Sequence, residues 1–418
     1  MDNTGTSLLK VNTSIERVGR QMAITNKLLA ATNDLPELLP YRKGDKWGFC
    51  DRNKKIVIEC VFDWVDFFYE GFAVVRVGEW YNYVDKKNCL LSNEPFIIAQ
   101  KFSEGVGFVR NSRITGFLNK MNELEVPVEG MFASDFNDGI ATIYEGGHEN
   151  FYKLIDRAGN VIYDIKPGDG DISYNDGFYL FAFKKYINSE DYDRNNGACP
   201  ADGEDIKLAS HFDHYFRSKD GSRELTGQIE FEGHQYKGFE YARRFHNGYA
   251  TVRLIYEIYS NGSATNWWKY LKYDGTFIPG SYLECGNFSC GLAPVKRGYS
   301  DKWGYINATG EIAISAKFTS ASEFNSDLAI VFEQDETNSF LIINKVGDVV
   351  LLLTDIMISD DYHCDSYWSS LQIEEICKKN DYNGKYLKYR FENSLFQYLQ
   401  RDGRICTIDK KGVQYWED

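Results

Sequence analysis

Long apolar runs are missing from this chain. The longest, Val349 to Thr354 and on to Ile358, is about ten residues broken by Asp355, half of what a membrane-spanning helix needs. The first 30 residues hold no continuous apolar core and no small-residue cleavage site, so no secretory signal is expected. Cysteine is odd in number, at nine, and scattered, which excludes a fully paired disulfide framework. Cys50, Cys60, Cys89, Cys285, Cys290 and Cys406 fall mostly on predicted strands, where a free thiol acts as a small hydrophobe. These features point to a reducing cytoplasm.

Catalytic signatures are absent as well. No Gly-x-x-x-x-Gly-Lys-Ser/Thr occurs to cradle a phosphate, and no Gly-x-Ser-x-Gly occurs to present a nucleophile. The six histidines give no Cys/His pairing that a repeated strand pattern would bring together. His211-Phe212-Asp213-His214 has two imidazoles and a carboxylate, but its spacing of three suits a helical turn and no fourth ligand is evident. Asp169-Gly170-Asp171 resembles part of a calcium loop, but it follows Pro167 and lacks the bidentate Glu. Both are read as local structure. The expectation is a non-enzyme with no metal and no cofactor. Carboxylates are too plentiful for a count to exclude a glycosidase pair, although many of the Asp residues sit in turns.

The net charge is −14, and residues 1–40 contribute nothing to it, because Lys10, Arg17, Arg20 and Lys27 balance Asp2, Glu16, Asp34 and Glu37. The rest of the chain carries the excess. An acidic surface repels phosphate backbones, so neither nucleic acid nor membrane is an expected partner.

What is present is a two-part phrase recurring about every 35 residues, a period that sets the architecture before any single residue is weighed. The first part is clearest at Lys46-Trp47-Gly48-Phe49-Cys50-Asp51 and Lys302-Trp303-Gly304-Tyr305-Ile306-Asn307. The second is clearest at Glu70-Gly71-Phe72-Ala73-Val74-Val75 and Asn247-Gly248-Tyr249-Ala250-Thr251-Val252. Its leading position recurs as Gly71, Gly105, Gly139, Gly177, Gly248, Gly291 and Asp327. Each copy reads as strand, tight turn, strand. Asp or Asn bonds its own backbone in the turn, and Gly or Asn further on accepts positive φ. The flanks alternate apolar and polar residues, and aromatics at 16% favour pleated, half-buried surfaces. The Trp is expected to fill a slot between repeats, and the Gly after it to let a neighbouring backbone pass. Trp47, Gly48, Trp80, Trp303 and Gly304 are therefore the expected structural residues of the repeat.

This pattern resembles the WG-repeat (KWG-repeat) β-repeat proteins of bacterial type, over residues 41–355 and in degenerate form over 356–418. Trp47-Gly48 and Trp303-Gly304 keep both letters, whereas other copies carry Trp80-Tyr81, Thr115-Gly116 or Trp268-Lys269. The resemblance implies a β-repeat array with no shared catalytic activity and no particular ligand. The expected fold is all-β: about seven to nine hairpin repeats in an open, solenoid-like array, with a β-propeller as the alternative. Residues 184–238 interrupt the rhythm and read as an insertion.

The N-terminal segment differs in kind. Leu8, Val11, Ile15, Val18, Met22, Thr25 and Leu29 are spaced alternately three and four apart, the a/d seam of a coiled coil. One amphipathic helix over 1–32 and a linker over 33–40 are expected. The segment resembles short helical adaptors joined to effector or sensor domains in bacterial conflict and defence systems. Leu8, Val11, Ile15, Val18, Met22 and Leu29 are the expected contacts with another copy or a protein partner, a cap on the array being the plainer role. The functional expectation is a non-enzymatic scaffold or sensor that binds a macromolecule along its aromatic, acidic surface. The alternative is a carbohydrate-binding or carbohydrate-processing protein, since exposed aromatics also stack on sugars.

Overall fold

A computed structural model describes residues 35–145, 152–165, 171–187, 208–226, 228–231, 234–256, 267–299, 301–325, 327–333, 339–353, 389–392, 395–399, 405–409 and 413–417. All regular structure among them is β. The predicted helix over 1–32 lies outside the described residues. No helix among the described residues is long and apolar enough to cross a membrane.

The strands form eight hydrogen-bonded sheets, and the eight-stranded one is two units joined at the single pair His214↔Phe239. Nine units result. A complete unit is a four-stranded antiparallel meander, such as Ile98–Ala99, Val106–Arg110, Thr115–Asn119 and Leu124–Pro127 in the third unit. The stretch 184–238 contributes regular strands to the array: Leu208–Ser218 belongs to the fifth unit, and His234–Ala242 opens the sixth.

The second strand of each unit shows what holds the units together. In the second unit, Ala73 and Val75 point into a cluster shared with Trp47, Phe49, Ile58 and Phe62 of the first. Val74 and Phe72 point the other way, into a cluster with Ala99, Phe102 and Val109 of the third. Alternate residues thus bury opposite faces of the same strand. The pattern repeats at Ala329 and Val331 against the seventh unit, with Leu328 and Ile330 against the ninth. The outer strand alternates instead: Ile56–Phe62 buries Ile58 and Phe62 and exposes Val57 and Val61.

The array closes on itself. Leu328, Ile330 and Ile342 pack on Phe396, Cys406 and Ile408. Leu395 and Tyr415 in turn pack on Leu39, Tyr41 and Cys50. Trp416–Glu417 adds to Leu39–Lys43 as a parallel strand, with Arg42 N–H donating to Tyr415 O at 3.2 Å and Gly44 N–H to Glu417 O at 2.8 Å. The Tyr41 hydroxyl donates to Glu417 Oε1 at 2.8 Å. The open solenoid gives way to the propeller alternative, because a sheet apolar on both faces needs a neighbour on each side and the last unit finds the first.

Turns of two kinds join the strands. Between first and second strands, Glu70 (φ 51°) and Gly71 (φ 96°) form a two-residue turn with positive φ at both positions, the geometry that matches strand twist. Between third and fourth strands, Asp51, Asp85, Asn119, Asp156, Asn307 and Asn344 each accept the backbone N–H four residues on, at 2.7–3.0 Å. A bulge follows five of these turns, at Cys50↔Ile56, Leu118↔Leu124, Ile155↔Val161, Ile306↔Ile312 and Ile343↔Val349. The local side-chain bond and the register shift that follows it recur together.

Removing residues 413–418 should open the ring and lower stability by at least about 3 kcal/mol, from the exposed faces of Leu39 and Tyr41 and the loss of Tyr415. An unchanged urea midpoint would show that the first unit does not depend on the last.

The turn carboxylates also link stability to pH. Asp220 is held down to about 2 by hydrogen bonds from the Ser218 hydroxyl and from the Ser222 N–H and hydroxyl. A depressed carboxylate contributes fully above its unfolded value, about 3.9, and that contribution is lost as pH falls through the folded value. Asp220→Asn should therefore melt below the wild type at pH 6, with the gap closing towards pH 2. A gap independent of pH would remove the charge from the explanation.

Candidate functional site: the aromatic and basic rim

The residue opposite the repeat tryptophan is basic. Arg42 pairs with Trp47 on the third strand and with Trp416 on the first. Arg76 is flanked in the same way by Trp64 and Tyr81, and Arg253 by Tyr241 and Trp268. Arg110 holds this place between Ile98 and Thr115, and Lys296 beside Glu284. One tier of cations therefore runs along the rim where second strands pass to third strands. Each cation lies across the sheet from one or two side chains able to pack on its stem or its charge.

Most of this tier is built into the ring. Arg42 is 3% exposed and donates to Gly44 O at 2.6 Å and Ile405 O at 3.4 Å, the latter in the ninth unit. Arg110 Nη1 donates to Met131 O of the next unit at 3.3 Å. Lys296 Nζ pairs with Glu284 at 2.8 Å. Arg42 and Arg110 thus bridge neighbouring units, and Lys296 is paired within its own.

The sixth unit departs from that use. The Arg253 guanidinium lies 5.2 Å from the Trp268 ring and 5.6 Å from Tyr241. A second guanidinium, Arg243, lies 4.7 Å from the same indole and donates to Cys285 O at 3.1 Å. Tyr241 meets Trp268 edge-on at 5.4 Å, packs against His214 at 5.5 Å, and is 43% exposed. Glu240 approaches Arg253 Nε at 3.6 Å, beyond hydrogen-bond range. Two cations, an indole and an open phenol ring thus meet at the surface of an otherwise acidic chain.

The sequence-predicted residues have separate places. Trp47 is 6% exposed, between the first and second units. Trp303 is half-buried between the seventh and eighth. The glycines sit under a wider bulge: Phe49↔Ile58 and Trp47↔Phe62 set two residues against four, as do Tyr305↔Ile314 and Trp303↔Phe318. A Cβ on Gly48 would lie 2.4 Å from Ile58 O, and one on Gly304 2.7 Å from Ile314 O, so no side chain fits there. Trp80, grouped with Trp47 and Trp303 from the sequence, pairs with Val77 and is 50% exposed. Tyr81 takes the place opposite Arg76, and a shift of one residue turns Trp80 to the other face. Leu8, Val11, Ile15, Val18, Met22 and Leu29 lie outside the described residues. His214 is buried against Tyr241, while the side chains of His211 and Asp213 lie outside the description.

Sequence reading missed the basic tier. Its signal was the Arg or Lys five residues after the phrase's glycine, at Arg76, Arg110, Arg253 and Lys296. It also missed a latch at the opposite rim. Glu70 Oε2 accepts Gly105 N–H at 3.0 Å, Glu104 Oε2 accepts Gly139 N–H at 3.0 Å, and Asp176 Oδ2 accepts Gly248 N–H at 2.8 Å. Each acid precedes one repeat glycine and holds the next.

The WG containing repeat family matches residues 47–80 and 303–335. Two stretches of this all-β chain therefore match WG repeats. Each matched WG stretch begins on the third strand of one unit and ends in the next, so the sequence repeat straddles two sheets. No curated protein matches the chain. Among solved structures, it is similar to a eukaryotic initiation factor at 10% identity and a TM-score of 0.47, covering 90% of this chain and 94% of that one. Hsv2 of Kluyveromyces lactis overlays at 7% identity and 0.32, over 83% and 93%. An oligogalacturonate lyase in complex with manganese overlays at 11% identity and 0.34, over 88% and 94%.

Trp47→Ala should cost about 3–5 kcal/mol through the cavity between units, and Trp80→Ala less than about 1 kcal/mol. Urea unfolding of the two variants checks this ranking. Equal losses would contradict the difference in register.

Proposed function

We propose that this WG-repeat protein is a non-enzymatic scaffold or sensor that binds a macromolecular partner at its aromatic and basic rim, with the sixth unit as the principal seat. The observation that carries this reading is the cluster of Arg243, Arg253, Trp268 and Tyr241, because elsewhere in the tier Arg42 and Arg110 are tied to backbone carbonyls and Lys296 to a carboxylate. Aromatic and guanidinium side chains together are the composition of interface anchors. A closed array is a rigid base for such a surface and little of its affinity would be spent on ordering.

The helix over 1–32 acts beside it, in oligomerisation or in docking a partner helix. Its seam would expose Leu8, Val11, Ile15, Val18, Met22 and Leu29 together if left unpaired, at about 1.5–3 kcal/mol for each fully buried side chain. Deleting residues 1–35, or changing Ile15 and Val18 to Asp, should leave a folded array. That array should fall to monomer mass by light scattering or lose the partner that co-purifies with the full chain. Tyr241→Ala should weaken partner capture without changing mass. Truncated protein that keeps both mass and partner would sink the role given to the helix. Partner capture unaffected by Tyr241→Ala, Arg243→Gln and Arg253→Gln would sink the role given to the rim.

A further inference from the structure

We infer that the sixth-unit cluster is a carboxylate-binding site, taking an acidic side chain or a free C-terminal carboxylate of a protein partner; this rests on the rim being the binding surface. Arg253 Nε and Glu240 Oε2 are both shielded from water, and neither makes a hydrogen bond. They face each other at 3.6 Å, near enough to attract but not to bond. A guanidinium is a planar fork shaped for two parallel bonds to a carboxylate, and Glu240 does not satisfy that geometry. The corresponding cations elsewhere have close acceptors: Gly44 O for Arg42, Met131 O for Arg110 and Glu284 for Lys296. Arg76, the remaining member of the tier, is closed off at 8% exposure, whereas the Arg253 side chain keeps 29% of its surface, so Arg253 is the tier position open to something else.

Charge selects the class of ligand. Arg243 and Arg253 against Glu240 leave one positive charge, which matches a monoanion better than a phosphate dianion. The chain as a whole, at −14, also penalises a second negative charge more than a first. The walls suit a peptide: the Trp268 indole carries both guanidiniums, and Tyr241, 43% exposed, offers a flat edge to the chain that bears the carboxylate. Glu240 is then an internal competitor, holding Arg253 weakly until a better-placed carboxylate arrives.

The test is a calorimetric titration of the full chain with four probes. They are Ac-Gly-Gln-Leu-Glu-Gly-NH2, its counterpart with Gln in place of the Glu, that Gln peptide with a free C-terminal carboxylate, and inorganic phosphate. Either carboxylate peptide should bind and the amidated Gln peptide should not, and the two carboxylate arms tell a side-chain ligand from a chain terminus. Arg253→Gln should weaken binding about tenfold, the loss of one charge-assisted bond, and Arg243→Gln should do likewise if Arg253→Gln fails to fold. Glu240→Gln should tighten it, which a merely structural carboxylate would not do. The proposal is overturned if neither carboxylate peptide binds, if phosphate competes as well as the carboxylates, if folded Arg variants bind as the wild type does, or if Glu240→Gln leaves binding unchanged or weaker. Failure of the peptides with partner capture still dependent on Tyr241 would remove the carboxylate assignment and leave the rim reading standing.

Discussion

Each sheet of this protein is apolar on both faces, and almost everything else follows from that. A strand such as Phe72–Val77 sends Ala73 and Val75 one way and Val74 the other, into two different cores. No unit can be satisfied by one neighbour. An open row would leave an uncovered face at each end and would need a cap of another kind. Here the first and ninth units cover one another, through Leu395 and Tyr415 against Leu39 and Tyr41. Closure also removes an exposed strand edge, since Trp416–Glu417 occupies the free side of Leu39–Lys43.

The polar residues of the repeat serve the same arrangement. Carboxylates and amides in the turns between third and fourth strands bond their own backbone and fix where the following bulge falls. Acids in the other turns reach across to the glycine N–H of a later unit, as Glu70 does to Gly105. Much of the acidic excess is thereby spent on local geometry. At the opposite rim the chain places its cations, and there buried guanidiniums such as Arg42 join units through backbone carbonyls. Only where the sixth unit adds Arg243 does that structural device acquire the composition of a recognition surface.

Much of this was legible in the sequence because it is local. The period, the turn residues and the crowding at Gly48 and Gly304 can each be read within a few positions, and the glycines do lie where a backbone passes. Closure was not legible: Tyr41 and Glu417 are 376 residues apart, and no local pattern records their meeting. Nor was burial on both faces. The continuous apolar stretch in Leu328–Glu333 resembles that in any buried strand, and only the packing shows two separate cores. The role of Trp80 depended on a register of one residue that composition does not set. The cationic tier was visible as single residues, but its meaning lay in partners across two strands. The stretch 184–238 lost the phrase while keeping its strands, because Leu208–Ser218 is far longer than its counterparts and dilutes the repeat.

The central claim, that the units form a closed ring, is tested most directly by hydrogen exchange at Arg42 and Gly44. Their N–H groups donate only across the junction, to Tyr415 O and Glu417 O. In a closed ring both should exchange slowly, at rates comparable with the Val106–Arg110 strand. Fast exchange at these two amides, with the rest of Leu39–Lys43 protected by its pairing to Lys46–Cys50, would show a free edge and an open array.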